Sequence, residues 1–187
     1  MKRLLSFFLI LGLGTGFAAS TVEHRSVSEA YVAPEINIAF PATVGKFRKN
    51  EVSRSYNPMV GTKIRYSDAD GFCADIFIYS LPIKETTVSA AELEKHYNTV
   101  KEAILGLPSR SASIKKVTMP GETKVFDKRL GSTVYTAAFQ ISWSTGSDQI
   151  STMRMFSCKG QIIKLRMSCS REDAELFADA ILKLFQQ

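Results

Sequence analysis

Histidine is almost missing from this chain: two occur in 187 residues, His24 and His96. Cysteine is nearly as scarce, and Cys73, Cys158 and Cys169 match no Cys-x-x-Cys or zinc-finger spacing. There is no Gly-x-Ser-x-Gly motif, which argues against the nucleophile elbow of an α/β-hydrolase. No low-complexity run or internal repeat stands out, and no apolar span follows the first seventeen residues. What remains is an ordinary globular composition, 45% apolar and long enough for one domain with a real core.

The first residues have the pattern of an export signal. Met1-Lys2-Arg3 is a charged start, and Leu4 to Phe17 is an apolar run too short to span a bilayer. Gly16-Phe17-Ala18 places small residues where a signal peptidase reads, so cleavage is expected after Ala18. No cysteine lies near that point to take a lipid. The expected organisation is a signal peptide over 1–18, a mobile arm over 19–35 and one α+β domain over 36–187. The expected location is the bacterial periplasm or the exterior. Removing Lys2 and Arg3 lowers the formal charge from +6 to +4, a mildly basic balance that permits an anionic partner without requiring one.

Asp70 to Ser80 has apolar residues on both faces of a strand, so it needs cover on both sides. Phe47 to Tyr56 and Thr62 to Tyr66 read as a strand pair ahead of it, and Ile36 to Pro41 as a short edge strand. Placing Tyr66 opposite Phe72 sets Ile64 against Ala74 and Lys63 against Asp75. Ser89-Ala90-Ala91-Glu92 is a capping box opening a helix with Leu93, Tyr97, Val100 and Ile104 as its apolar stripe. Two short strands broken at Pro120-Gly121 follow, then a strand from Thr133 to Trp143 and a hairpin around Lys159-Gly160. A second helix opens at Ser170, with Ala174, Phe177, Ile181 and Leu184 inward. This order predicts a mainly antiparallel sheet flanked by helices, an α/β/α sandwich.

The Phe40-Pro41 to Phe47 stretch, Gly61-Thr62-Lys63-Ile64, Phe77-Ile78-Tyr79 ahead of a helix, and the terminal hairpin plus helix together resemble the PsbP-like α/β/α sandwich superfamily over about residues 36 to 187. That superfamily includes a photosystem II extrinsic subunit, a yeast nuclear-import cofactor and bacterial envelope proteins. The resemblance implies binding or assembly work and transfers no site residues.

The candidate sites are few. Asp68-Ala69-Asp70-Gly71 fails as a calcium loop, because the pattern would put Tyr66 and Phe77 at ligand positions, so a hairpin turn is expected. A disulfide, if formed, involves Cys73, with Cys169 favoured over Cys158. A two-residue turn at Lys159-Gly160 would leave Cys158 and Cys169 about 26 Å apart along the ladder. Arg48, Arg54, Lys63 and Arg65 crowd the first strand pair. With Arg54 opposite Lys63 they share one face, a candidate patch for an envelope protein, lipid or glycan. Nucleic acid is not expected in that compartment, and neither a cofactor nor a metal is expected. The function read from these residues is non-catalytic binding or accessory work in the cell envelope. The alternatives are a periplasmic hydrolase using a Ser or Cys nucleophile with His96 as base, and a purely structural interaction module. Intact mass of the exported chain is expected to show loss of residues 1–18; a mass retaining them would remove the export reading.

Overall fold

A computed structural model describes residues 22–24, 28–83 and 86–186, so the expected signal peptide lies outside the described residues. The first strands are β1 (Val22–His24), β2 (Tyr31–Ala33), β3 (Ile38–Phe40), β4 (Thr43–Val44), β5 (Phe47–Ser55), β6 (Thr62–Ser67) and β7 (Cys73–Tyr79). Helix α1 (Ala90–Leu105) leads into β8 (Ile114–Asp127), β9 (Ser132–Trp143), β10 (Gln149–Cys158), β11 (Gln161–Ser168) and helix α2 (Arg171–Leu184). The main sheet runs β1-β5-β6-β7-β11-β10-β9-β8, with β4 also on β5, and every pairing in it is antiparallel. The α+β class and the three-layer arrangement are as the sequence predicts, and among the described residues no helix is long and apolar enough to cross a membrane.

β7 lies between β6 and β11, so its alternation feeds two cores. Ala74, Ile76 and Ile78 join Ile64, Tyr66, Leu165 and Met167 beneath α2. Tyr79, with Phe77 packed alongside, joins Leu93, Tyr97, Tyr135 and Phe139 beneath α1. The capping box is formed: the Ser89 hydroxyl accepts from the Glu92 amide, and the Glu92 carboxylate accepts from the Ser89 amide at 2.9 Å. At the other helix, Ser170 accepts from the Asp173 amide. Arg154 on β10 pairs with Glu175 and Asp179, tying α2 to the sheet.

Three sequence expectations meet a different arrangement. Ile38–Phe40 is not an edge of the main sheet; it pairs with β2 in a separate ribbon. Part of the expected arm therefore enters the core, with Tyr31 and Ala33 buried. The ribbon is held by three long side chains: Lys49 donates to the Glu29 and Phe40 carbonyls, Lys159 to the Ile36 carbonyl at 2.7 Å, and Tyr66 to the Pro41 carbonyl at 2.7 Å. Next, β8 is one strand, its ladder broken in register between Thr118 and Gly121, where Pro120 has no amide to give. This strand is one edge of the sheet, and Lys115, Lys116 and the Pro120 irregularity guard it against edge pairing.

The third difference is register. β6 and β7 meet with Ser67 opposite Cys73, two residues beyond the expected alignment. The Asp68 carboxylate accepts from the amides of Asp70 and Phe72, which moves the turn toward the C-terminus and leaves Phe72 exposed. A two-residue shift keeps each face and changes each partner, so Asp75 meets Arg65 and not Lys63. β5 and β6 are offset by one residue from the expected pairing, which exchanges faces: Val52 meets Ile64, Glu51 meets Arg65 and Arg54 meets Thr62. This alignment buries Val52 and puts opposite charges across the ladder in place of Arg54 against Lys63.

Gly61 closes the β5–β6 turn at φ +62°, and a Cβ there would lie 1.9 Å from the Ile78 carbonyl oxygen. Gly131 has the same φ with nothing within 4 Å. Urea denaturation should therefore show Gly61→Ala losing more than about 2 kcal/mol, and Gly131→Ala only about 1 kcal/mol.

Candidate functional site

The two helices lie over different parts of the sheet. α1 packs on β8, β9 and β10, whereas α2 reaches β10, β11, β3 and β4. On the α1 side, β6, β7 and the far end of β11 therefore carry long, half-buried side chains with no helix packed across them among the described residues. The registers set these in rows. One row runs Lys63, Phe77, Lys164, Met155; the next runs Arg65, Asp75, Arg166, Met153. Beyond them stand Ser67, Cys73 and Ser168.

The acids on this face are claimed from one side. Arg65 binds Asp75 in a fork, Nε to Oδ1 at 2.6 Å and Nη2 to Oδ2 at 2.9 Å. The Asp75 side chain is 7% exposed, and hydrogen bonding to it is the main force raising the Arg65 pKa. Lys63 pairs with Glu51 at 2.6 Å. Both acids are thus held by β6. On β11, Lys164 and Arg166 are half-buried and have no carboxylate within 4 Å among the described residues. The Lys164 ammonium instead lies 4.5 Å from the Phe77 ring centre and 5.7 Å from that of Tyr79. Burial, then the charge of Arg166, lowers its pKa to about 8.

Tyr79 and His96 close one end. The Tyr79 hydroxyl and His96 Nε2 are 2.8 Å apart. Burial raises the Tyr79 pKa, so the hydroxyl stays protonated at neutral pH, and the two groups share one hydrogen bond. Burial, then the charge of Lys164, brings His96 down to about 4. The imidazole is neutral at pH 7, its Nε2 is occupied, and no Ser or Cys side chain bonds to it among the described residues. His96 thus has its Nε2 engaged by Tyr79 and is not held as a charged imidazolium at neutral pH.

The expected basic patch is divided. Lys63 and Arg65 belong to the face just described, and Arg48, opposite Ser67, is exposed near its rim. Arg54 projects to the other side, where Glu35 accepts from it at 3.0 Å. Lys46, from the same stretch of sequence, bridges Asp68 at 3.1 Å and Asp173 at 3.0 Å. Most of this basic cluster thus serves the fold. Lys164 and Arg166 were not among the sequence candidates. Their signal is present, because two cations two residues apart interrupt the apolar run from Ile162 to Met167 on one face of a strand.

Cys73, Cys158 and Cys169, the residues of the possible Cys73–Cys169 (or Cys73–Cys158) bond, are free thiols in this structure. Cys73 sits opposite Ser168 on the α1 side; Cys169, one residue after Ser168, is buried in the α2-side core, and Cys158 lies against the same core at the far end of the hairpin. Burial raises the pKa of all three, Cys169 to about 11. The Asp68–Gly71 segment is the expected hairpin turn, and no group of three metal-ligating side chains occurs among the described residues. A hollow of about 310 Å³ lies between α1 and the β8–β9 hairpin, beside the stacked rings of Tyr97 and Tyr135. Its charges are paired, Lys101 with Glu122 and Lys124 with Glu94.

No protein-family model matches this chain, and no curated protein matches it. Among solved structures, it is similar to cyanobacterial PsbP (CyanoP) from Synechocystis, at 13% identity and TM-score 0.49, covering 94% of this chain and 93% of that one. It is also similar to the Ran-binding protein Mog1p of Saccharomyces cerevisiae, at 10% identity and TM-score 0.36, covering 90% and 92%.

The folded state keeps His96 neutral down to about pH 4, while the unfolded chain takes up that proton near 6.5. The stability this gives is complete above 6.5 and is lost as the pH falls from 6.5 towards 4. Denaturation across that range should show a loss of about 1–2 kcal/mol from this group after allowing for solvent screening. His96→Gln should flatten that part of the profile.

Proposed function

We propose that this chain is a non-catalytic binding or accessory protein of the bacterial cell envelope that receives an anionic partner on the β6–β7–β11 face. The observation that carries this reading is the charge balance there. Lys63, Arg65, Lys164 and Arg166 face Glu51 and Asp75, and both acids are consumed by the β6 cations. Charge on interior strands is costly unless paired, and here it is left in excess on a half-buried surface. The excess favours encounter with an anion and fixes where it settles. The envelope location rests on the charged start and apolar run of the first eighteen residues. The reading keeps Lys63 and Arg65 from the basic strand pair, leaves Arg48 at the rim and drops Arg54, which lies on the opposite side with Glu35.

The test uses immobilised dextran sulfate and two double variants with the same change in net charge. Lys63→Gln with Arg166→Gln alters the face; Lys115→Gln with Lys116→Gln alters the β8 edge. The first pair is expected to bind about tenfold more weakly, equivalent to about 1.4 kcal/mol, and the second to stay within about twofold of the unaltered chain. Equal losses from both pairs would mean that net charge, and not this face, governs binding.

A further inference from the structure

The anionic group can be specified further, on the reading that this face binds an anion. The geometry points to a phosphate-monoester site on β11, with Arg166 and Lys164 holding one doubly charged oxyanion beside Phe77 and Tyr79. Both side chains rise from the same face of one strand, two residues apart, about 7 Å along the backbone. That spacing lets two long side chains converge on a single group. Arg166 offers a planar fork of donors, and Lys164 a compact charge. A carboxylate brings a single negative charge to these two cations and only two oxygens to share among their donors. A phosphate has a further oxygen for the ammonium.

The surroundings point the same way. Asp75 stands between Arg65 and Arg166 in its row, yet its two oxygens are engaged by Arg65. Arg166 is thereby left free while remaining beside an anchored carboxylate, which sets an electrostatic limit on that side of the site. On the other side, the Phe77 ring lies 4.5 Å from the Lys164 nitrogen. Tyr79 is fixed by His96 at 2.8 Å. The surplus of two positive charges on the face matches a monoester dianion and exceeds the single charge of a phosphodiester headgroup. Lys164 is held at about pKa 8 by burial and by Arg166, so its charge weakens the unliganded fold and a bound dianion would offset that cost.

Calorimetry and heteronuclear NMR on the mature chain test this with inorganic phosphate, glycerol 3-phosphate, acetate, and vesicles containing phosphatidylglycerol. Saturable binding of phosphate and glycerol 3-phosphate is expected, with resonance changes confined to β7, β11 and the His96 end of α1. Acetate should bind at least tenfold more weakly. Lys164→Met and Arg166→Gln should each lower phosphate affinity at least tenfold, while unliganded Lys164→Met melts no lower than the unaltered chain. Phosphate affinity unchanged in both variants, or acetate binding as tightly as phosphate, overturns the site. Vesicle binding without monoester binding assigns the face to a lipid headgroup and also overturns it. If phosphate fails but dextran sulfate retention still depends on the face, the broader reading stands and this one falls. If both fail, so does the broader reading.

Discussion

The carboxylate of Asp75 can serve one guanidinium fully, and two flank it. Arg65 takes both oxygens, which fixes β6 to β7 and leaves Arg166 across the ladder on β11 with its fork unfilled. This pairing sets the polarity of the whole α1-side face. If Asp75 were shared evenly, the same surplus charge would be spread over β6 and β11. Because the pair closes on the β6 side, the surplus charge gathers on β11, beside the aromatic rings that end the α1 core. The cost is consistent with what surrounds it: a buried carboxylate survives only with charge-assisted hydrogen bonds of this quality.

The offset of the helices matters as much. α1 covers the β8–β10 side and α2, with the N-terminal ribbon, covers the opposite face from β3 to β11. Each face therefore has a packed region and an open one. On the α2 side the ribbon is fastened by Lys49, Lys159 and Tyr66 to backbone carbonyls, so cations there satisfy the main chain. On the α1 side Lys63 and Arg65 pair with carboxylates, whereas, among the described residues, Lys164 and Arg166 do not. The same residue type is spent on architecture on one face and left in reserve on the other.

Local signals in the sequence were strong where the chemistry was local. The Ser89 capping box, the Asp68 turn and the two-faced alternation of β7 could be read directly, because each depends on neighbours within a few residues. The β5–β6 alignment could not. The turn between Tyr56 and Gly61 admits more than one register, and the choice follows from burying Val52 against Ile64 and from placing Glu51 by Arg65. That one-residue difference moved Arg54 to the other side. Lys164 is not legible in the sequence for a related reason. Its importance comes from β11 standing next to β7, a pairing between distant segments that no local pattern specifies.

That distant pairing has a kinetic meaning. Cys73 through Tyr79 find their second neighbour only in Ile162 through Ser168, about ninety residues later. Until the last hairpin exists, β7 has one bare edge and the α2-side core lacks its helix. Sheets closed by such long-range contacts form slowly, since loop entropy must be overcome before contacts reward it. A chain whose central ladder waits for Ile162 through Ser168 keeps that edge open until those residues have been made.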